Sequence, residues 1–223
     1  MTNTLITISN PRSPIAEAYR TLRTNLDFSN LDKSLRTILV TSAGADEGKS
    51  TTLANLAVTI AQSGKRVLVA DADLRRPTQH QIFGLKNSAG LTDMVRDDAV
   101  LAQPPLQDSG VANLKVLTSG QLPPNPAEIL GSKRMNEILA ALLEQADLML
   151  LDAPPVLAVT DAAVLSGKVD GVLLVVSAGK TKRENAKKAQ AQLEKINARI
   201  IGVVVNNVKA EKGAQYYYAE SSQ

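Results

Sequence analysis

The sequence predicts an α/β fold: a doubly wound, mainly parallel sheet flanked by helices. Six short, nearly continuous apolar runs recur along the chain, the pattern of strands buried on both faces. Segments of helical periodicity stand between them, which is the β-α-β alternation of a parallel sheet. A glycine-rich turn joins the first run to the first long helix, at the carboxyl end of a strand, where open α/β sheets take their ligands.

Residues 13–28 come first, an amphipathic helix started by Pro14, whose fixed φ suits a first turn. The first strand covers 36–40 (RTILV) and leads through the turn to a helix over 50–62. The second strand covers 66–70 (RVLVA), a helix follows over 90–96, and the third strand covers 113–117 (NLKVL). The Pro-rich piece at 122–126 reads as a loop ending at the N-terminus of a helix over 126–145. The fourth strand covers 147–151 (DLMLL) and the fifth 171–176, with a helix over 161–166 between them. A helix over 181–196 then leads to the sixth strand at 199–205. Residues 1–208 thus read as a single domain and 209–223 as a flexible polar tail, neither the first helix nor the tail being needed to complete the sheet.

Composition agrees with one large folded domain. At roughly 150 residues per domain, 223 residues fit one large domain better than two. With 44% apolar and 21% charged residues, the disordered and collagen-like classes are excluded. The strongest apolar runs, 148–151 and 172–176, fall far short of the ~20 residues that cross a bilayer, and the N-terminus lacks a basic-then-apolar signal pattern. The expectation is a cytoplasmic chain. Without cysteine, and with His80 as the lone histidine, any metal must be held by oxygen. The net charge of +3 is local in origin, since 180–199 holds seven Lys or Arg against two Glu. Ala186, Ala189, Leu193, Ile196 and Ile200 recur at helical spacing there, which leaves the cations on a solvated face and gives no reason to expect a nucleic-acid partner.

The turn after the first strand reads Ala43-Gly44-Ala45-Asp46-Glu47-Gly48-Lys49-Ser50-Thr51, which has Walker A spacing with Ala at its first position. Gly44 and Gly48 let the backbone wrap closely round a polyphosphate, and the helix N-terminus adds partial positive charge. Lys49 can reach the β and γ oxygens, and the Ser50 hydroxyl can ligate Mg²⁺. Carboxylates follow two other strands, Asp71 and Asp73 after the second and Asp152 after the fourth. Acids there would repel a nucleotide's phosphates unless a cation stood between them, so the three carboxylates make sense together with the loop and Mg²⁺.

The P-loop, the segment Asp71-x-Asp73-x-Arg75 and the segment Asp152-x-Pro154-Pro155 resemble the three Walker motifs of the bacterial tyrosine kinases, the BY-kinases, which use a P-loop ATPase fold. Glu17-x-x-Arg20-x-x-Arg23 is similar to that family's N-terminal oligomerisation motif, and Tyr216-Tyr217-Tyr218 resembles its C-terminal tyrosine cluster. The resemblance implies an ATP- and Mg²⁺-dependent tyrosine autokinase that phosphorylates its own tail between subunits and regulates capsular or extracellular polysaccharide polymerisation or export. It further implies a homo-oligomeric ring, other tyrosine-phosphorylated substrates, and a membrane activator of the chain-length-determinant type, fused or separate, that holds the chain at the inner face of the cell membrane. By that resemblance residues 44–51 (Gly44, Ala45, Asp46, Glu47, Gly48, Lys49, Ser50 and Thr51) bind nucleotide, and Ser50, Asp73 and Asp152 hold Mg²⁺. Asp71 is the general base, and Asn206 contacts the adenine edge or simply makes a turn. Arg75 and Arg76 meet phosphate charge or solvent. Glu17 and Arg20 also have a simpler reading as an intrahelical ion pair. The alternative is a nucleotide-switched ParA/MinD-like positioning ATPase without kinase activity. Those proteins carry a signature lysine five positions before the P-loop lysine, where this chain has Gly44.

Overall fold

The structure, a computed structural model, describes residues 5–29 and 35–209. Helices α1 (Ile6–Ser9) and α2 (Pro14–Ser29) precede strand β1 (Thr37–Ser42), helix α3 (Lys49–Gln62) and strand β2 (Val67–Asp71). Three short helices follow, α4 (Gln79–Ile82), α5 (Leu91–Arg96) and α6 (Asp98–Ala102), then strands β3 (Gln107–Asp108) and β4 (Leu114–Leu117). Helices α7 (Pro126–Gly131) and α8 (Lys133–Glu144) lead to β5 (Leu148–Asp152), α9 (Asp161–Ser166), β6 (Gly171–Ser177), α10 (Arg183–Lys195) and β7 (Ile200–Asn206).

The strands form one sheet in the order β3-β4-β2-β5-β1-β6-β7, parallel except where β3 pairs antiparallel with β4. Alternate residues of each strand point to opposite faces, so the sheet carries two cores. Leu39, Leu68, Leu117, Met149, Leu151 and Leu174 pack with α5, α8, α9 and α10 on one side. Ile38, Val40, Val69, Val116, Leu150 and Val175 pack with α3 on the other. Helix α3 is buried along Thr52–Ala61 because α1 and α2 cover it in turn. Thr7 fastens that outer layer, donating to Asn55 Oδ1 from its N–H (3.2 Å) and its hydroxyl (2.9 Å).

Two expectations need correction. The single helix over 126–145 is two helices: Ser132 leaves helical geometry at φ -64, ψ 160, and its Oγ accepts from Met135 N–H to cap α8. The apolar stripe changes face at this break, since Leu130 and Met135 are five residues apart whereas Met135, Ile138 and Leu142 keep helical spacing, and the Gly131-Ser132 pair stands at the step. The last strand is not buried on both faces. As an edge strand β7 leaves Val203 and Val205 more than half exposed. The short elements α1, α4, α6 and β3 escaped sequence reading because fewer than six residues establish no period.

The register positions the chemistry. In the β2–β5 pairing Asp71 stands opposite Asp152, and Asp152 stands opposite Val40 of β1, whose strand runs into the glycine-rich loop. Three carboxyl ends therefore meet at one edge of the sheet.

Candidate functional site

The loop between β1 and α3 is held from outside by side chains that take its carbonyls. Ser42 Oγ donates to Gly44 O (2.7 Å), Lys180 Nζ to Asp46 O (2.9 Å) and Asn206 Nδ2 to Glu47 O (3.0 Å). A loop so anchored, ending at the N-terminus of a 14-residue helix, is built to offer N–H groups to an anion. Gly48 caps α3 at φ 85, where a side chain would be strained. A Cβ there would also lie 2.1 Å from Asn206 Nδ2, so glycine is required on two grounds. Asp46 takes φ 57, a left-handed conformation that Asp tolerates better than most residues. The Glu47 side chain turns away from the helix, and its Oε1 accepts from the Thr181 hydroxyl.

Lys49 is the hub. Its Nζ donates to Asp73 Oδ2 (2.9 Å), Asp152 Oδ1 (3.0 Å) and Ser50 Oγ (3.0 Å), with both carboxylates almost wholly buried. Burial alone would lower the lysine's pKa, but the charges and hydrogen bonds of Asp152 and Asp73 outweigh it and hold the ammonium form above its ordinary value. Asp152 Oδ2 accepts from Gln79 Nε2 (2.8 Å), which also donates to Ser50 O (3.2 Å). Asp71 is fully buried, its Oδ2 accepting from the N–H groups of Thr78 (3.0 Å) and Gln79 (2.9 Å). Burial first, and the Asp152 charge second, push its pKa well above the ordinary carboxylate value against the pull of the Gln79 N–H and Lys49. Arg75 makes a two-point bond to Asp161 (2.9 and 3.0 Å), tying the loop after β2 to the start of α9.

A cavity of about 420 Å³ opens over this cluster, lined by Ala45, Asp46, Glu47, Gly48, Lys49, Ser50 and Thr51 of the P-loop and by Asp73, Arg76, Thr78, Gln81, Ile82 and Pro155. The structure thus gathers Lys49, Ser50, Asp71, Asp73 and Asp152 in one place. Gly44, Asn206, Asp71 and Asp152 are not among the lining residues, although Asp152 bonds the lining Lys49. Asn206 spends its amide N–H on the loop carbonyl. Of the two arginines, Arg75 faces Asp161 and Arg76 the cavity. Glu17 pairs with Arg20 within α2 (2.6 Å), and Arg23 donates to Thr59 O of α3 (2.9 Å). Tyr216, Tyr217 and Tyr218 lie outside the described residues. Sequence reading missed Gln79, Asp161 and Thr181. Asp161 had the signal of an acid opening a helix, whereas nothing local marks Gln79 or Thr181.

The fit to Mg²⁺ can be judged from Lys49. A cation already sits between Asp73 and Asp152 with the Ser50 hydroxyl at hand, so these oxygens form a cation-holding set. Among the described residues no group of three His, Cys, Asp or Glu could hold a metal. Mg²⁺ of the P-loop kind needs only one or two carboxylates beside substrate phosphates, and the donor set fits it.

The family model for ParA, described as "NUBPL iron-transfer P-loop NTPase", matches residues 34–215. The tyrosine-protein kinase YwqD of Bacillus subtilis (strain 168) is 44% identical over 218 residues, covering 98% of this chain and 92% of that protein. The crystal structure of the chimerical protein CapA2B2 superposes with a TM-score of 0.87 at 37% identity, covering 92% of this chain and 90% of that one. The septum site-determining protein MinD of Pyrococcus horikoshii OT3, complexed with Mg-ADP, superposes at 0.65 with 21% identity over 82% and 76% of the two chains, a likeness of fold alone. Parallel-sheet topology, P-loop and these relatives agree: the chain belongs to the bacterial tyrosine-protein kinases, a branch of the ParA-type P-loop NTPases.

Proposed function

We propose that this protein is an ATP- and Mg²⁺-dependent tyrosine autokinase that phosphorylates Tyr216, Tyr217 and Tyr218 of a neighbouring subunit and so regulates capsular or extracellular polysaccharide polymerisation or export. The observation that carries the reading is Lys49 held between Asp73 and Asp152 in the lining of a cavity formed in part by the P-loop. Lys49 is bound to carboxylates by contacts that a nucleotide would compete for. When phosphates enter, the lysine turns to their oxygens, and Ser50, Asp73 and Asp152 are left to hold Mg²⁺. The ion, when bound, neutralises phosphate charge.

Residues 44–51 cradle the phosphates, with Asn206 supporting the loop from the base side. Asp71 takes the phenolic proton. A carboxyl whose pKa is raised by burial and by Asp152 is a stronger base once ionised. Because the 73–79 loop buries it, this step requires the loop to move aside as Lys49 leaves. Glu17, Arg20 and Arg23 join subunits into a ring, the first two exchanging their mutual bond for intersubunit ones. The ring holds each tail near the next subunit's cavity at high effective concentration. In this account the domain spans 1–208 and 209–223 is its substrate tail. The chain works at the inner face of the membrane with an activator of the chain-length-determinant type, and other tyrosine-phosphorylated proteins are further substrates. Among the described residues no helix is long and apolar enough to cross a membrane.

The test mixes a Lys49→Met subunit carrying the three tyrosines with an active subunit bearing Tyr216→Phe, Tyr217→Phe and Tyr218→Phe. With ATP and Mg²⁺, phosphotyrosine should accumulate on the inactive partner. An unlabelled partner, together with labelling of dilute wild type at a concentration-independent rate, would place transfer within one subunit.

A further inference from the structure

Two adjacent arginines follow Asp73, and the structure separates them. Arg75 is turned to the fully buried Asp161 by a two-point bond and does not line the cavity. Arg76 does line it, is exposed, and among the described residues its guanidinium has no hydrogen bond or ion pair. Its backbone is nevertheless fixed, because Arg76 N–H donates to Asp73 Oδ1 at 3.0 Å while Asp73 Oδ2 is held by Lys49 at 2.9 Å. The root of the side chain is therefore pinned to the same carboxylate that organises the phosphate end of the site. The lining is otherwise residues 45–51 of the P-loop and Pro155, with Asp73, Thr78, Gln81 and Ile82 coming from the same segment after β2 as Arg76.

A polyphosphate lying along the P-loop leaves the segment after β2 to whatever receives its terminal group. Among the described residues, the one cation that this segment brings to the cavity is the unpaired Arg76 guanidinium, whose planar fork matches two phosphoryl oxygens better than an ammonium does.

We propose that Arg76 is a phosphoryl-binding catalytic residue on the acceptor wall. Its guanidinium takes oxygens of the phosphoryl group during transfer and keeps them in the phosphotyrosine product. The identity of the acceptor rests on the kinase reading above. In the step concerned the phenolic oxygen forms a bond to the γ-phosphorus while the bond from that phosphorus to the β,γ-bridging oxygen breaks. ADP leaves with the electron pair, the phenolic proton passes to Asp71, and Arg76 exchanges no proton.

The experiment compares wild type, Arg76→Ala and Arg76→Lys in the full chain, each checked for fold by circular dichroism. Four quantities are read: phosphotyrosine formation, affinity for Mg-ADP, ATP hydrolysis in a background of Tyr216→Phe, Tyr217→Phe and Tyr218→Phe, and inhibition by free phosphotyrosine. Arg76→Ala should slow phosphotyrosine formation by about 100-fold or more, leave Mg-ADP affinity within about twofold, and be rescued only weakly by lysine. Hydrolysis falling in parallel assigns the contact to the nucleotide's γ-phosphoryl group. Unchanged hydrolysis with loss of phosphotyrosine inhibition assigns it to the product. Transfer at the wild-type rate, or a loss accounted for wholly by weaker Mg-ADP binding, overturns the proposal. If wild type hydrolyses ATP but makes no phosphotyrosine, the kinase reading alone fails. The hydrolysis arm then decides for Arg76, a slowed variant upholding the contact and an unchanged one removing it.

Discussion

Replacing Lys49 by methionine removes the one cation that the described structure places between Asp73 and Asp152. The lysine makes charge-assisted hydrogen bonds of 2.9 and 3.0 Å to carboxylates whose side chains are 4% and 0% exposed. Taking one partner from a buried ion pair leaves the remaining charge uncompensated, at a cost of about 3–5 kcal/mol. In a chain of this length each kcal/mol moves the melting temperature by roughly 2–4 °C, so the nucleotide-free variant should melt about 6–20 °C lower at neutral pH. It should still fold, since both sheet cores are untouched. Mg²⁺ without nucleotide should shrink the deficit, raising the variant's midpoint more than the wild type's, because ion and lysine compete for the same oxygens. Thermal unfolding followed by circular dichroism, with and without Mg²⁺, reads both effects. An unchanged midpoint, or an equal Mg²⁺ shift in both proteins, would refute the view of Lys49 as a stand-in cation.

The carboxylates should separate by role: Asp73→Asn and Asp152→Asn should weaken Mg²⁺-dependent nucleotide affinity by about 10- to 100-fold, the equivalent of roughly 1.5–3 kcal/mol for a charged contact, whereas Asp71→Asn should mainly slow tyrosine transfer. Titration with a fluorescent ADP analogue distinguishes them, and equal loss of binding in all three would withdraw Asp71 as the base. The raised Asp71 pKa also has a sign. A carboxyl whose folded pKa lies above its unfolded value of 3.8 binds more protons folded than unfolded between the two, so its contribution to stability is complete below 3.8 and is lost as pH rises through the folded pKa. Against Asp71→Asn, nucleotide-free wild type should therefore lose stability on going from acid to neutral pH, by at most about 1.4 kcal/mol per pH unit; parallel curves in urea would contradict this. For the ring, Arg20→Ala with Arg23→Ala should lower the oligomer mass in light scattering while costing the monomer only about 1 kcal/mol, chiefly the Arg23 bond to Thr59 O. An unchanged oligomer would leave Glu17 and Arg20 as the surface pair seen in α2.

What could be read from the sequence was what is local or periodic. Nine consecutive residues, 43–51, carry the P-loop pattern. Asp71, Asp73 and Asp152 each announce themselves by following an apolar strand. That Asp71 and Asp152 stand opposite one another needed only the strand order. The bonds that shape the site are of another kind. Arg75 and Asp161 are 86 residues apart, and Gln79 and Asp152 are 73 apart; both pairings depend on loop paths that no periodicity encodes. Arg23 illustrates the same limit, because its bond to α3 arises from how two helices pack. The break at Ser132, by contrast, carried a local signal, the five-residue step from Leu130 to Met135 ahead of the helical spacing of Met135, Ile138 and Leu142.

Transfer of phosphate to tyrosine by the P-loop site is tested most directly by mass spectrometry of purified wild type and Lys49→Met after incubation with ATP and Mg²⁺, following phosphatase treatment to clear earlier modification. Phosphate should appear on Tyr216, Tyr217 or Tyr218 in wild type and on none of them in the variant. ATP hydrolysed by wild type without any phosphotyrosine, or the same label in both proteins, would contradict it.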